Sequence, residues 1–533
     1  MPDPTVVDSV RSVFLATRIP FSVLLPVCIL IVLPIVYLAA TTWSRDRALK
    51  KLPGTYAPVV PSRLPFGLDV AMRCVYELAT HGFHEYVRDI LATKPGRTIE
   101  FHILDKRMIV TDNPENIKEM MSVQFDTFGK GDLTHHIFRN CFRGSIFGSE
   151  GAEWAAHRAQ LKPHVGTMRP SDPEKLENHF LEMLQKNIPD DGSPVEVYDM
   201  LDMMLLETVI DIFVDPSKDP EYKYIDPRPF VNGVNALLKI NTFRVLLGNV
   251  SRLVSDTLVA RASTQALHEY LGSHVRWIRK LQSSNYSEKP KKEWTLMETF
   301  ASEPLPDSAY RSKFVSLLSA SKDPVGMIVV WVIYELGRRP EIVDKLREEI
   351  IATIGDDINT LPTDAQLRSM KYLQNIIKEA MRMYHPFGFN IRCPNKDTVL
   401  PTGGGANGDQ PLPILRETFI VVNIMGLHRR ADIVGADTDV FRPERWDTFK
   451  PSPWEYMPFH RGPRNCLGMA FGQYAMAYLI VRLYQLYDIL PADNIVQRIK
   501  VEMNTKVSHP VNMRFYPRQS VSSPRLQKDE VLP

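Results

Sequence analysis

Phe459-His460-Arg461-Gly462-Pro463-Arg464-Asn465-Cys466-Leu467-Gly468 decides how this chain is read, and an apolar helical stretch from Met469 to Leu486 follows it directly. A cysteine at the mouth of a helix meets backbone N–H groups and the positive end of the helix dipole, which favour its thiolate over its thiol. Gly462 permits the tight turn before the cysteine, and Gly468 lets a flat group approach the backbone closely. Arg464 can neutralise a carboxylate on that group, and Phe459 can pack against its face. These are the needs of an iron porphyrin held through sulfur. A buried structural cysteine is the bland alternative, but five residue types at this spacing coincide by chance in on the order of one chain in ten thousand, given average composition. For Cys28, Cys74, Cys141 and Cys393 the bland reading stands. They lie far apart with no CxxC and no Cys/His pairing, so neither a disulfide framework nor a structural zinc site is expected, and a reducing compartment fits.

Outward from this stretch, composition excludes several classes. Of the 533 residues 44% are apolar and 24% charged, which is a folding globular balance rather than a disordered, collagen-like or disulfide-stapled one. Sixty-four Lys and Arg against 62 Asp and Glu leave a formal charge of +2, without the basic excess of a general nucleic-acid binder.

The body from Phe66 to Pro517 carries no internal repeat and no obvious linker. Apolar residues at three- and four-residue steps predict helices over Glu115 to Met121, Glu174 to Asn187, Val197 to Val214, Ala260 to Gln282, Phe314 to Leu336 and Pro340 to Ile354. Strand-like runs are short: Thr98 to Ile103, Met108 to Thr111, Phe419 to Asn423 and Val511 to Tyr516. The glycines of Thr402 to Gly408 invite a phosphate-cradle reading, but no Lys-Ser/Thr follows and no helix opens there, so a plain loop is expected. The expected fold is mainly α, one large helical α+β domain with small marginal sheets.

Ahead of it, Ile19 to Trp43 contains no charge. As a helix, Ile19 to Ala40 would rise about 33 Å, enough for a bilayer core of about 30 Å. It exceeds a signal-peptide core, so an uncleaved anchor over residues 19–41 is expected rather than a leader cleaved near Leu38-Ala39-Ala40. Arg45, Arg47, Lys50 and Lys51 follow the span and only Arg11 and Arg18 precede it, which puts residues 1–18 in the lumen and the body in the cytosol. Residues 42–65, with Pro53, Pro58, Pro61 and Pro65, are expected to act as a basic, semi-rigid spacer, and residues 518–533 as a flexible tail.

The sequence resembles the cytochrome P450 superfamily, whose haem signature is Phe-x-x-Gly-x-Arg-x-Cys-x-Gly. Glu379-Ala-Met-Arg382 looks like the family's Glu-x-x-Arg, Phe441-Arg-Pro443-Glu-Arg445-Trp446 like its Pro-Glu-Arg segment, and Trp154-Ala-Ala-His-Arg158 like its Trp-x-x-x-Arg. Alone, Glu-x-x-Arg means little, since Glu85-Tyr-Val-Arg88 matches it too. The resemblance implies haem b (iron protoporphyrin IX) ligated by Cys466, with Phe459 and Gly468 against the ring and Trp154, Arg158, Arg392 and Arg464 holding its propionates. It also implies a buried Glu379–Arg382–Arg445 triad, a lipophilic small-molecule substrate and a location on the endoplasmic reticulum membrane. Electrons would come from NADPH through a separate cytochrome P450 reductase, with cytochrome b5 as an optional second donor. The stretch from Asn390 to Phe441 most resembles fungal membrane-bound enzymes that oxidise alkanes and fatty acids.

One segment departs from the family. Where the helix over the iron usually reads Ala-Gly-x-Asp/Glu-Thr-Thr, this chain has Ala320-Ser321-Lys322-Asp323-Pro324-Val325. Splitting dioxygen heterolytically consumes two protons, and the usual hydroxyl is replaced by Pro324. Asp323 with ordered water is therefore expected to carry the proton relay, unless the substrate supplies a hydroxyl itself or Ser321 contributes one, and Lys322 is expected to pair with a nearby carboxylate. Proline also removes the N–H that would bond the Ala320 carbonyl. The expected activity is a monooxygenase of a fungal secondary-metabolite pathway. A fatty-acid or alkane hydroxylase of primary metabolism and a reductase-independent isomerase or dehydratase acting on a hydroperoxide are the alternatives, the latter because it needs no proton relay.

Overall fold

In the computed structural model, residues 21–518 are described except 105, 220, 253–257, 284–289, 292–293 and 358. The expected lumenal stretch 1–18 and the tail beyond residue 518 lie outside the described residues.

Chain order gives the longer helices α1 (Phe21–Leu49), α2 (Leu68–Ala79), α3 (Phe83–Ala92), α4 (Gly151–Val165), α5 (Asp172–Asn187), α6 (Val197–Phe213), α7 (Arg228–Leu247), α8 (Leu258–Gln282), α9 (Asp307–Leu336), α10 (Pro340–Ile354), α11 (Lys371–Met383) and α12 (Met469–Leu486). The organising element is α9. Its second half, Val325 to Leu336, is apolar on every side apart from Glu335, so it needs neighbours all round rather than on one stripe. The helix as a whole packs against α6, α8, α11 and α12. By length and composition α9 would pass for a membrane span, but 83% of its apolar window is buried inside the protein. It is a core helix.

The sheets are small and peripheral. Strands β1 (Thr98–Ile103), β2 (Lys106–Thr111), β3 (Phe128–Gly129), β5 (Phe389–Pro394) and β8 (Phe419–Asn423) form one sheet in the order β1-β2-β8-β5-β3, with β2 and β8 parallel and the other pairs antiparallel. Strand β12 (Asn512–Pro517) lies between β4 (Val195–Glu196) and β9 (Tyr487–Pro491). Two hairpins complete the set, β6 (Thr398–Gly404) with β7 (Gln410–Ile414) and β10 (Ile499–Val501) with β11 (Thr505–Val507). The mainly α reading with small sheets therefore holds.

Four local expectations need correction. The core helix starts at Asp307 rather than Phe314, because its first two turns are polar and leave no apolar period to read. The run Glu115 to Met121 is a short helix, Pro114–Lys118, followed by a wider π turn over Glu119–Val123. Thr402 to Gly408 is not all loop: it finishes β6 and reverses into β7, with Gly403, Gly405 and Gly408 at φ of 99°, 77° and 69°. These glycines serve a reversal that other residues adopt only with strain.

The fourth correction concerns the spacer. Helix α1 runs on through the basic residues to Leu49, and the proline-rich segment after it lies against the sheet. Thr55 N–H donates to the Pro411 carbonyl (2.9 Å), and Val59 bridges Glu100 of β1 in parallel. Val60 N–H donates to the Glu100 carbonyl and Glu100 N–H to that of Pro58, both at 2.9 Å. Prolines lack a donor but keep the carbonyl, so a Pro-spaced strand can still accept from an edge.

Candidate active site

The cysteine loop is built from below. Cys466 N–H donates to the Phe459 carbonyl (3.0 Å) and Asn465 N–H to that of Gly462 (3.1 Å), which closes the turn. Gly462 sits at φ 76°, and a Cβ there would lie 1.9 Å from the Met121 carbonyl oxygen, so no other residue fits. Beneath the loop, Met457 N–H donates to His428 Nε2 (2.9 Å), and the rings of His428 and His460 stand 5.5 and 5.4 Å from that of His385.

Glu379 on α11 braces the segment that leads into this loop. Its carboxylate accepts from Arg382 Nε and Nη2 (2.9 Å each), Arg445 Nε (3.3 Å), Arg442 N–H (3.1 Å) and Trp446 Nε1 (3.0 Å). All three members of the Glu379–Arg382–Arg445 triad are buried. The other Glu-x-x-Arg, Glu85 to Arg88, behaves differently: Arg88 turns to Asp89 and Asp439 instead.

Cys466 opens on α12, with Gly468 as the residue before the first turn. It is exposed, whereas Cys74, Cys141 and Cys393 are buried with their thiols pushed up by burial to about 11, 12 and 12. Desolvation by the surrounding protein pushes the Cys466 thiol up, and the Gly468 N–H and Arg158 oppose it. The Gly468 N–H at the helix mouth thus pulls toward the thiolate, with Arg158 acting in the same direction. A metal ion deprotonates a coordinating thiol outright. A Cβ at Gly468 would meet nothing closer than Val165 Cγ1 at 3.6 Å, so no protein atom demands glycine there and the backbone stays open to a flat ligand.

Cations gather beside the sulfur. Arg158 on α4 donates to the Asn465 carbonyl (2.9 Å) and to Asn465 Oδ1 (2.5 Å). Arg464 lies over the Trp154 ring at 4.6 Å and donates to the Ser149 carbonyl at 3.2 Å. Arg392, buried on β5, donates to Asn390 Oδ1 (2.6 Å). Burial and the neighbouring Arg464 push Arg392 down to about 10, and burial with Arg392 and Arg464 pushes Lys130 down to about 7. The nearby carboxylate, Glu150, is already engaged: burial opposes its ionisation, but His135 and the Lys130 N–H hold it at about 2. Clustered cations short of anions fit a ligand with two carboxylates, so the donor set suits a haem. Lys130 is absent from the sequence reading, because Gly129-Lys130-Gly131 has no signature beyond a lysine between two glycines.

Asp323 is not aimed at this cluster. On α9, Ala320, Ser321 and Pro324 are partly exposed, while Lys322, Asp323 and the residues from Val325 to Leu336 are buried. Asp323 bonds Lys322 through Oδ1 and accepts from Asn504 Nδ2 through Oδ2 (3.2 Å), and Lys322 Nζ also reaches Asp202 at 2.6 Å. Ser321 Oγ donates to the Leu317 carbonyl at 2.8 Å. Helix α9 does pass close to the cysteine loop, since a Cβ at Gly472 of α12 would touch both Phe459 (3.7 Å) and Val325 (3.9 Å).

A family model described as Cytochrome P450 matches residues 65–514. The chain belongs to the cytochrome P450 family. It is similar to the cytochrome P450 monooxygenase pvhE of Talaromyces variabilis, 30% identical over 86% of this chain and 89% of that one. Cytochrome P450 monooxygenase alt2 of Alternaria solani is 27% identical over 81% and 85%, and cytochrome P450 52E1 of Candida apicola 27% over 86% and 91%. The protein is thus a cytochrome P450 monooxygenase by family, an oxidoreductase whose family cofactor is haem held by a thiolate.

Proposed function

We propose that this P450 inserts one oxygen atom from dioxygen into a lipophilic small molecule in a fungal secondary-metabolite pathway. The observation that carries this is the exposed Cys466, two residues from Arg464, which clusters with Lys130 and Arg392, cations with too few anions of their own. Haem, when bound, supplies the redox centre for oxygen activation. The chain's own residues would hold it: Cys466 Sγ as the iron ligand, Arg158, Arg392, Arg464, Lys130 and Trp154 toward its carboxylates, and Phe459 and Gly468 against its face. Bidentate guanidinium forks suit carboxylates.

Protons must reach the α9 face that carries Ala320, Ser321 and Pro324. Pro324 has no N–H to give the Ala320 carbonyl, which is left able to accept from a water. Asp323 is the acid assigned to deliver the proton, and to do so its carboxylate must leave Lys322 or Asn504. Electrons are assigned to NADPH through a separate cytochrome P450 reductase, with cytochrome b5 as a second donor. Helix α1, with Val32, Leu33, Ile35, Val36 and Tyr37 exposed, is assigned as a single-pass anchor in the endoplasmic reticulum membrane, with the body in the cytosol.

Two other readings have an observation behind them. The likeness of the stretch Asn390 to Phe441 to fungal enzymes that oxidise alkanes and fatty acids favours a hydroxylase of such substrates, and Pro324 favours an isomerase or dehydratase acting on a hydroperoxide. Turnover with reductase and NADPH, set against turnover on a fatty-acid hydroperoxide alone, tests the proposal. Product only with reductase supports it, and product from the hydroperoxide alone overturns it.

A further inference from the structure

The buried ion cluster on α9 is unbalanced. Lys322 Nζ sits between two carboxylates, Asp202 of α6 at 2.6 Å and the adjacent Asp323, and all three side chains are at most 4% exposed. Two acids around one ammonium leave a net negative charge in a dry site, which is costly unless a proton neutralises it. Among the described residues no second cation forms an ion pair with either acid, although the charge of Lys506 also favours ionised Asp202. Lys506 of β11 is the other charged group that faces Asp202, and its ammonium donates to Asn235 Oδ1 (2.9 Å) and lies 5.5 Å over the Tyr198 ring. Tyr198, one turn earlier on α6, keeps its hydroxyl buried without a hydrogen-bond partner and offers no charge.

The two acids are not equivalent. Asp323 accepts from Lys322 on one oxygen and from the Asn504 amide on the other, whereas the hydrogen bond drawn to Asp202 is the one from Lys322. The proton goes to the acid with fewer hydrogen bonds.

We propose that Asp202, Lys322 and Asp323 form a one-proton storage site in which Asp202 carries the proton. Burial pushes Asp202 up to about 6, with Asp323 adding to the rise and Lys322 opposing it. When Asp202 takes a proton from solvent, an O–H bond forms, its charge is cancelled, and Lys322 is left wholly to Asp323. When it gives the proton up, it competes for Lys322 and loosens the clamp on Asp323. Asp202 is thus a positioning residue that acts on Asp323 through Lys322. This consequence for turnover rests on the proposed delivery role of Asp323, but the storage site does not.

Infrared spectroscopy of the ferric holoenzyme, titrated from mildly alkaline to mildly acid pH, tests storage directly. A protonated-carboxyl carbonyl band should grow with a midpoint at about 6. It should vanish in Asp202→Asn, return in Asp202→Glu, and move to lower pH in Asp323→Asn, where the like charge is gone. No such band in the wild type, or the same band in Asp202→Asn, would overturn the proposal. The fraction of NADPH electrons recovered in product should follow the same midpoint in the wild type and lose it in Asp202→Asn. A wild-type profile in that variant would overturn the positioning role. Unchanged turnover in Asp323→Asn would remove the delivery role alone and leave the infrared result standing.

Discussion

Replacing Glu379 by glutamine removes one charge from a site that holds three. Glu379 and Arg382 are 0% exposed and Arg445 is 3% exposed, so neither guanidinium can turn to water when its anion is lost. Breaking a buried pair by neutralising one partner costs about 3–5 kcal/mol, because the other charge remains buried and uncompensated. Glutamine keeps one acceptor oxygen and its size, which places Glu379→Gln near the lower end. Arg445 keeps Asp437 at 2.6 Å, and this also limits the loss. Against a total stability of about 5–15 kcal/mol, a cost of about 3 kcal/mol is a large fraction. The damage should also be directed. Trp446, which donates to Glu379, packs against Tyr456 at 4.6 Å, next to the Met457 that His428 holds under the cysteine loop. Denaturant titration of the holoenzyme, followed both by tryptophan fluorescence and by the red-shifted carbon-monoxide band of the reduced protein, reads both effects. The band should be lost at lower denaturant than the fluorescence signal. Lys186→Ala, which breaks the exposed Glu182 pair, is the control and should change stability by less than about 1 kcal/mol. If Glu379→Gln cost no more than that control, the triad would not be bracing the loop.

A chain shortened to begin at Lys50 should fold and take up haem. One beginning at Pro61 should lose stability by about 0.5–1.5 kcal/mol for each hydrogen bond removed from Thr55, Ala57 and Val60, and equal denaturation midpoints would contradict the docked spacer. Glu100 is held at about 2 because hydrogen bonds from Arg107 and His102 outweigh the burial that opposes them. Its folded-state value is depressed, so its contribution is present above its ordinary 4.5 and is lost as pH falls from there toward about 2. Up to about 3 kcal/mol is at stake, and Glu100→Gln should flatten that acid limb in a thermal-unfolding series. Asp323→Asn should slow reductase-driven turnover by about 10²–10⁴-fold with haem content intact. Pro324→Thr should preserve or raise the yield of product per NADPH, and a fall would count against the relay.

The ligand loop was legible because its residue types are tied to local backbone demands. Gly462 needs a positive φ, and Cys466 precedes an apolar helix visible in the sequence. The second half of α9 was legible for the same reason. What was hidden depends on neighbours far along the chain. Glu85–Arg88 and Glu379–Arg382 look alike in sequence, and only α11 brings its pair within reach of Arg445. Lys130 gains meaning from Arg392 and Arg464, which lie hundreds of residues away, and the clamp on Asp323 needs Asp202 and Asn504. The two- and three-residue strands β3, β4, β10 and β11 carry too few residues for any alternation to show.

The central claim is that Cys466 holds the haem iron through its sulfur. Carbon-monoxide difference spectroscopy of reduced Cys466→Ser, beside the wild type and Cys393→Ser, tests it most directly. The red-shifted band should be present in the wild type and in Cys393→Ser and be abolished in Cys466→Ser. Retention of that band in Cys466→Ser would contradict it.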